Sequence, residues 1–147
     1  MRKFHGEKLV VATHNEGKLE EVRALFANKS VKILSSKSLD LPEPKETEDT
    51  FIGNARIKAH SASKITNLPA LADDSGITID ALNGSPGVYT ADWAETPAGR
   101  DFFVAMEKTY RALEEKSAPY PRKAQFRCTL VLALSLIHIS EPTRPLD

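Results

Sequence analysis

The sequence has few of the features that mark secreted, membrane or nucleic-acid-binding proteins. Its single cysteine, Cys128, excludes a disulfide within the chain, and no apolar run reaches the length of a membrane-spanning helix. Residues 1–8 are polar and lack the apolar stretch of a signal peptide, so we expect a cytoplasmic protein. The 20 basic side chains are balanced by 20 acidic ones, which leaves no basic field to attract nucleic acid. A small nucleotide remains a candidate ligand.

What the sequence does contain is the composition of a globular domain. Hydrophobic residues make up 41% of the chain and charged residues 27%, which is the balance of a protein that folds around an apolar core. A chain of this size buries roughly two-thirds of its unfolded surface, so its core requires neither a disulfide nor a structural metal. We therefore expect one domain.

Short apolar runs alternate with segments of helical periodicity along the chain. The strand-like runs cover residues 9–12, 31–34, 77–82 and 124–134, together with Leu71. The helical segments cover residues 18–28, residues 50–65 and a stretch that Thr96 opens as N-cap, with Pro97 as first helical residue. This alternation predicts an α/β fold.

Apolar residues at helical spacing predict which helix faces enter the core. The three predicted stripes consist of Leu19, Val22, Leu25 and Phe26; of Phe51, Ala55, Ala59, Ala62 and Ile65; and of Phe102, Phe103, Met106, Tyr110 and Leu113. We expect the aromatic residues of the third stripe in the core rather than on a base-stacking surface. Cys128 lies in an apolar run, and we expect a small core residue rather than a nucleophile.

The junction between the first predicted strand and the first predicted helix carries polar residues, in the order Thr13-His14-Asn15-Glu16-Gly17-Lys18. A hydroxyl, an amide and an ammonium group at the positive end of a helix would bind phosphate. The glycine and lysine spacing of a Walker A loop is absent. Capping of the helix by Asn15 explains the same pattern without a ligand, and both interpretations stay open.

A second polar group surrounds the start of the second predicted helix. Glu46, Glu48 and Asp49 form an acidic loop before it, where carboxylates stabilise a helix start or, in one case, reach a metal ion. Asn54 and Lys58 are four residues apart and therefore share one face of the helix. Such a pair on a helix surface usually has no function, so it is weak evidence for a site unless other motifs accompany it.

The most informative segment is Ala72-Asp73-Asp74-Ser75-Gly76, which places two carboxylates between strand-like segments. Asp, Ser and Gly favour turns, so a turn without function is one interpretation. Adjacent carboxylates also suit a site that holds Mg²⁺ and activates a water molecule. Triphosphate hydrolysis needs cations for the phosphates, carboxylates for Mg²⁺ and a base for water, so the motifs together favour an enzyme.

Four motifs follow one another in a series that is specific, although each motif alone is weak. They are Thr13-x-Asn15-x-x-Lys18; Glu46 with Phe51-x-x-Asn54 and Lys58; Leu71-Ala72-Asp73-Asp74-Ser75-Gly76; and Gly84-x-Pro86-Gly87-Val88-Tyr89-x-Ala91. The series resembles the Ham1/inosine triphosphatase family. The resemblance implies a mixed central sheet flanked by helices, two lobes with an active-site cleft between them, and a homodimer. It also implies hydrolysis of noncanonical purine nucleoside triphosphates (dITP, ITP and XTP) to the monophosphate and pyrophosphate.

The resemblance further implies a role for individual residues, with Mg²⁺ as cofactor and a purine nucleoside triphosphate as partner. Asp74 would be the base that activates water, with Asp73 in support. The implied metal ligands are Glu46, Asp73 and Asp74, and the implied substrate-binding residues are Thr13, Asn15, Lys18, Asn54, Lys58 and Ser75. Neither nucleic acid nor membrane is an expected partner.

Residues 135–147 depart from the family pattern, because the family's further strands and its Phe-Gly-Tyr-Asp-like and Ser-His-Arg segments are absent. We expect an incomplete domain over residues 1–134 and a foreign tail over residues 135–147. Selectivity for the base would then depend on contacts that this chain lacks. Two alternatives stay open: another Mg²⁺-dependent phosphohydrolase, and a noncatalytic or unstable nucleotide-binding fragment.

Overall fold

The computed structural model describes residues 7–134, so the predicted tail lies outside the described residues and stays a prediction. The elements are, in chain order, β1 (Lys8–Val11), α1 (Glu16–Leu25), β2 (Lys32–Ser35), α2 (Phe51–Thr66), β3 (Ala70–Ile79), β4 (Glu95–Thr96), β5 (Gly99–Arg100), α3 (Phe102–Glu115) and β6 (Ala124–Ala133). Strands and helices alternate from β1 to β3, β4 and β5 follow as a pair of short strands, and the predicted α/β fold is confirmed. None of the helices within residues 7–134 is long and apolar enough to cross a membrane.

Within residues 7–134, four strands form the central sheet, in the order β2-β1-β3-β6. β1 is parallel to both of its neighbours, with Val10 opposite Leu34 of β2 and Ala70 of β3. On the other side of β3, the hydroxyl of Thr78 donates to the carbonyl of Gln125 in β6. Just beyond the two strands, the backbone N–H of Asp80 donates to the carbonyl of Lys123. Residue numbers thus rise along β3 while those of the bonded residues fall, so β6 is antiparallel to β3. The predicted mixed sheet flanked by helices is confirmed.

The described chain divides into two compact units, and the first consists of residues 7–48, Ile52–Asp73 and residues 130–134. Its buried cluster joins β1, α2, β3 and the end of β6, and consists of Val10, Ala12, Ala59, Ala62, Ala70, Ala72 and Ala133. Alanine dominates this cluster, and its single methyl group lets a helix lie close to a sheet. The second predicted stripe is confirmed at its three alanines, whereas Ile65 is exposed.

The second unit consists of Asp49–Phe51 and Asp74–Thr129. Its buried cluster is made of Ile79, Leu82, Leu113 and Ala118, with Trp93 packed against it. β4 and β5 form a separate antiparallel ribbon in this unit. The predicted cleft of a two-lobed fold stays a prediction.

The prediction of a turn at the acidic segment is wrong, because Asp73 to Gly76 lie inside the ten-residue strand β3. The hydroxyl of Thr90 donates to the Gly87 carbonyl at 2.6 Å and accepts from the backbone N–H of Ile77 at 3.0 Å. These contacts with a segment distant in sequence hold the backbone extended and override the turn propensity of the residues. The strand predicted over residues 77–82 ends earlier, since Asp80–Leu82 form a 3₁₀ turn.

The third helix begins later than the sequence predicts. Its N-cap is Asp101, whose side chain accepts from the backbone N–H of Phe103 at 3.0 Å, so the predicted N-cap Thr96 is wrong. Thr96 lies in β4, where its hydroxyl accepts from the backbone N–H of Ala98. The chain turns tightly between β4 and β5, and Gly99 allows this turn with a φ of +112°. The turn and β5 lie between Thr96 and the start of α3.

We predict that Asp101→Ala lowers the free energy of unfolding by about 1 kcal/mol, because the substitution removes the side-chain acceptor at the start of α3. Urea unfolding followed by circular dichroism measures the change. The control is Lys108→Ala, at an exposed position of the same helix, which we expect to change stability by less than about 0.5 kcal/mol. Equal effects of the two substitutions would count against the cap.

Several residues predicted for the core are exposed within the described part of the chain. On α3 only Ala105 and Leu113 are buried, and the aromatic side of the third stripe is exposed. Leu25 of the first stripe is exposed, and so is Cys128 of β6, together with its neighbour Phe126. Periodicity predicts which residues share a face, but it does not predict whether another element covers that face.

Candidate active site

The polar junction after β1 is a capped helix start. Asn15 is the N-cap of α1, and its side-chain oxygen accepts from the backbone N–H of Lys18 at 3.1 Å. The hydroxyl of Thr13 accepts from the backbone N–H of Asn15 at 3.1 Å. The capping interpretation is therefore confirmed. It is compatible with a bound phosphate, because a cap occupies only part of the donor set at the positive end of a helix.

The ammonium group of Lys18 lies 2.6 Å from Oδ2 of Asp73. The two residues are 55 positions apart, and the parallel pairing of β1 with β3 brings them together. The backbone N–H of Ala12 donates to the carbonyl of Leu71 at 2.8 Å, so the chain enters α1 beside the residues that lead to Asp73. Carboxyl ends of parallel strands are the usual place for ligand sites in α/β sheets.

The acidic loop is held by the two polar residues of α2. Lys58 Nζ lies 2.9 Å from Oε1 of Glu46. Asn54 donates its amide to the carbonyl of Glu48 at 3.1 Å and accepts from the backbone N–H of Glu48 at 3.0 Å. Asn54 is only 1% exposed, so its paired bonds fix the loop backbone against the helix. This loop-holding role was missed from the sequence, and its predicted contact with substrate stays a prediction.

Three predicted site residues follow one another along β3. Asp73 and Asp74 are buried, at 8% and 6% exposure, and Ser75 is half-buried. Two adjacent buried carboxylates cost free energy on desolvation, which is a cost that proteins retain mainly where function requires charge. Lys18 offsets part of that cost at Asp73.

The carboxylate oxygens at this site are ligands of the type that Mg²⁺ prefers. Asp73 already holds a cationic group, the Lys18 ammonium, at 2.6 Å, which marks a position where positive charge is favoured. Among residues 7–134, however, no group of three or more His, Cys, Asp or Glu residues is arranged to hold a metal ion. Mg²⁺ commonly takes one or two carboxylates and completes its shell with phosphate oxygens and water. The carboxylate of Asp73 is thus a ligand of the kind that suits a metal arriving with phosphate oxygens.

Gly76 and Thr90 position the part of β3 that carries Asp73 and Asp74, which we call the carboxylate strand. The sequence pattern assigns neither Gly76 nor Thr90 a role of its own. A Cβ atom at Gly76 would lie 2.4 Å from the Gly87 carbonyl and 2.7 Å from the Thr90 hydroxyl. Only glycine fits at such a distance, so the backbone next to Asp74 and Ser75 is in direct contact with the loop at Gly87. Gly76 and Gly87 each belong to one of the four family motifs. This is the one sequence signal that could have indicated the contact between them.

Two dITP/XTP pyrophosphatases illustrate the similarity to known sequences. The protein of Ruegeria pomeroyi is 66% identical over 132 residues, which are 90% of this chain and 65% of the relative. That of Bartonella quintana is 51% identical over 138 residues, covering 92% of this chain and 64% of the relative. The chain thus spans just under two-thirds of the length of these curated relatives.

Solved structures and a family comparison agree with the sequence similarity. A HAM1 protein from Coxiella burnetii superposes with a TM-score of 0.81 at 36% identity, covering 90% of this chain and 66% of that one. The Ham1 protein of Staphylococcus aureus gives a TM-score of 0.73 at 30% identity, over 86% of this chain and 63% of that one. The Ham1 family pattern matches residues 9–143. The resemblance is confirmed, and the chain belongs to the Ham1 family.

Proposed function

We propose that this protein hydrolyses noncanonical purine nucleoside triphosphates (dITP, ITP and XTP) to the monophosphate and pyrophosphate, with Mg²⁺ as cofactor. The observation that carries the proposal is the 2.6 Å pair between Lys18, at the start of α1, and the buried Asp73, which directly precedes Asp74. This ion pair lies where β3 continues past the end of β1. The names of the dITP/XTP pyrophosphatases among the relatives support the substrate class.

In the proposed reaction, Asp74 accepts a proton from water as the water oxygen bonds to the α-phosphorus. The bond between the α-phosphorus and the bridging oxygen breaks, and pyrophosphate leaves. Thr13, Asn15 and Lys18 bind the triphosphate at the positive end of α1. When bound by Glu46, Asp73 and Asp74, Mg²⁺ neutralises charge on the phosphate oxygens.

The remaining predicted residues have supporting roles in this proposal. Ser75 contacts the substrate from β3, next to the base. Asn54 fixes the backbone of the acidic loop, and Lys58 pairs with the carboxylate of Glu46. A loop whose backbone is already fixed lowers the cost of assembling a site around a metal and a triphosphate.

The proposal includes a homodimer in the cytoplasm. One cysteine in 147 residues suits a reducing compartment, since disulfides form mainly in oxidising ones. Size-exclusion chromatography with light scattering measures the mass of the protein in solution. A mass of two chains is expected, and a mass of one chain would refute the dimer without affecting the proposed chemistry.

The test of the proposed function is hydrolysis of dITP and dATP, each with Mg²⁺ and with excess EDTA. We expect dITP to be hydrolysed with Mg²⁺ and the rate to fall to background with EDTA. We also expect slower hydrolysis of dATP, because the proposed substrates carry a 6-keto purine. Equal rates on both nucleotides would refute the substrate class, and a rate unaffected by EDTA would refute the cofactor.

We predict that Lys18→Ala raises KM for dITP by about tenfold or more, because a charged hydrogen bond to phosphate is lost. Steady-state kinetics at saturating Mg²⁺ measures the change. The control is Lys29→Ala, which removes an exposed lysine shortly after α1 and should leave KM unaltered. An unchanged KM for Lys18→Ala would remove this lysine from the phosphate site.

A further inference from the structure

We infer that Lys18 and Lys58 occupy the metal-binding carboxylates in the nucleotide-free protein, so that the metal enters together with the triphosphate and not before it. The inference rests on the proposed function for the nature of the ligand, and it adds an order of binding. It concerns two separate ion pairs, and each joins a predicted substrate-binding lysine to a predicted metal-binding carboxylate.

The two pairs have the same composition but come from different elements. Lys18 of α1 lies 2.6 Å from Asp73 of β3, and Lys58 of α2 lies 2.9 Å from Glu46 of the acidic loop. Two of the three implied metal ligands are thus held by lysines that are implied to bind the substrate. Without nucleotide, each lysine has a carboxylate as its anionic partner.

Each pair joins one largely buried side chain to one that is more than a third exposed. Asp73 is 11% exposed and Lys18 39%, whereas Lys58 is 17% exposed and Glu46 38%, so water screens each pair in part. A metal ion that takes the carboxylate leaves the displaced ammonium beside a second cation, and at Lys58 the ammonium also has little access to water. Both effects oppose binding of the metal alone.

A metal–triphosphate complex removes both obstacles. The complex carries a net negative charge, and its phosphate oxygens offer each displaced ammonium a new anionic partner. Asp73 and Glu46 then bind the metal instead of the lysine ammonium groups, and every charged group keeps a partner of opposite charge. The absence of a three-ligand protein cluster within residues 7–134 agrees with a metal that brings phosphate ligands along.

The acidic loop is built to keep its position during this exchange. Asn54 holds the backbone of Glu48 through two hydrogen bonds that involve neither Lys58 nor the carboxylate of Glu46. Lys58 can therefore release Glu46 while the loop stays on α2. This arrangement makes Lys58 a positioning residue that holds Glu46 until the nucleotide arrives.

The test is a titration of the nucleotide-free protein with Mn²⁺ alone, in which electron paramagnetic resonance counts the free ion. Wild-type protein is compared with Lys18→Met and Lys58→Met, which remove one ammonium each and keep much of the side-chain volume. We expect each variant to bind Mn²⁺ about tenfold more tightly than the wild type, because a carboxylate is released. A role in structure alone would not raise metal affinity.

The control is Lys64→Met, which removes an exposed lysine in the last turn of α2 and lowers the net charge equally. We expect its Mn²⁺ affinity to equal that of the wild type. Lys18→Arg and Lys58→Arg keep the positive charge, so they should retain the weak binding of the wild type and serve if a methionine variant fails to fold. If neither methionine variant binds Mn²⁺ more tightly than Lys64→Met, or if an arginine variant does so, the inference is wrong.

A second titration adds a dITP analogue with a methylene group between the α- and β-phosphorus atoms, which the protein cannot cleave. The wild type should bind Mn²⁺ more tightly with the analogue than without it, and the methionine variants should lose most of this gain. Equal Mn²⁺ affinity of the wild type in both titrations would contradict the coupling. Because neither titration involves hydrolysis, their outcome is independent of the activity assay that tests the proposed function.

Discussion

Asp74→Asn is expected to lower kcat for dITP hydrolysis by about 10²–10⁴-fold, the contribution typical of a positioned general base. The amide has nearly the volume of the carboxylate but cannot accept the proton of the attacking water at neutral pH. Asp74 is 6% exposed in the middle of β3, so an isosteric change is required to keep the strand intact. Formation of dIMP at saturating dITP and Mg²⁺ measures the effect.

The control for this substitution is Asp80→Asn, at an exposed position directly after β3. We expect its kcat to equal that of the wild type and the thermal midpoints of both variants to lie close to the wild-type value. Retained release of pyrophosphate by Asp74→Asn would refute the role of base. A large fall in the thermal midpoint would assign the lost activity to unfolding, and Asp74→Glu would then be compared for activity.

Gly76→Ala is expected to lower the free energy of unfolding by about 3 kcal/mol, near the upper end for overpacking. The added Cβ would lie 2.4 Å from the Gly87 carbonyl and 2.7 Å from the Thr90 hydroxyl. The hydroxyl can rotate, but the Gly87 carbonyl belongs to the backbone, so β3 must shift next to Asp74 and Ser75. Urea unfolding measures the loss, and dITP hydrolysis should fall as well because the carboxylate strand is displaced.

The control is Gly99→Ala, where an added Cβ meets no atom within 4 Å but φ is +112°. That substitution introduces backbone strain without overpacking, and we expect a loss of about 1–2 kcal/mol. It should leave the activity of the folded protein unaltered, since Gly99 lies in the β4–β5 ribbon. A Gly76→Ala protein as stable as the wild type would show that the contact with Gly87 is not tight.

The order of strands and helices could be predicted because each element has a local pattern. β1 is a short apolar run, and α2 carries alanines at helical spacing, so neither depends on distant residues for recognition. The acidic segment was predicted incorrectly for the opposite reason. Its extended backbone depends on Gly87 and Thr90, and the local preferences of Asp, Ser and Gly contain no information about that contact.

The start of α3 and the exposure of its aromatic face show two further limits of local reasoning. Thr96-Pro97 has the pattern of a helix start, but a ribbon return at Gly99 moves the start to Asp101. The aromatic face was correctly predicted as one stripe and incorrectly placed in the core. Which element covers a stripe depends on the tertiary arrangement, and residues 7–134 leave Phe103 and Tyr110 exposed.

The sequence motifs suggest which residues form the candidate site, but they do not predict how these residues pair. Lysines and carboxylates in the family motifs indicated phosphate and metal binding. The pair of Lys18 with Asp73 depends on the register of β1 against β3, and the pair of Lys58 with Glu46 depends on a loop conformation held by Asn54. Neither the register nor the loop conformation has a local signature, so the two ion pairs emerge only from the structure.

The most direct test of the central claim is identification of the products of dITP hydrolysis by anion-exchange chromatography in the presence of Mg²⁺. Cleavage between the α- and β-phosphorus atoms predicts equal amounts of dIMP and pyrophosphate and no dIDP at early times. Formation of dIDP with orthophosphate would show a different phosphohydrolase. Absence of any product, with the protein folded, would show a nucleotide-binding chain without catalysis, and either result would contradict a pyrophosphatase.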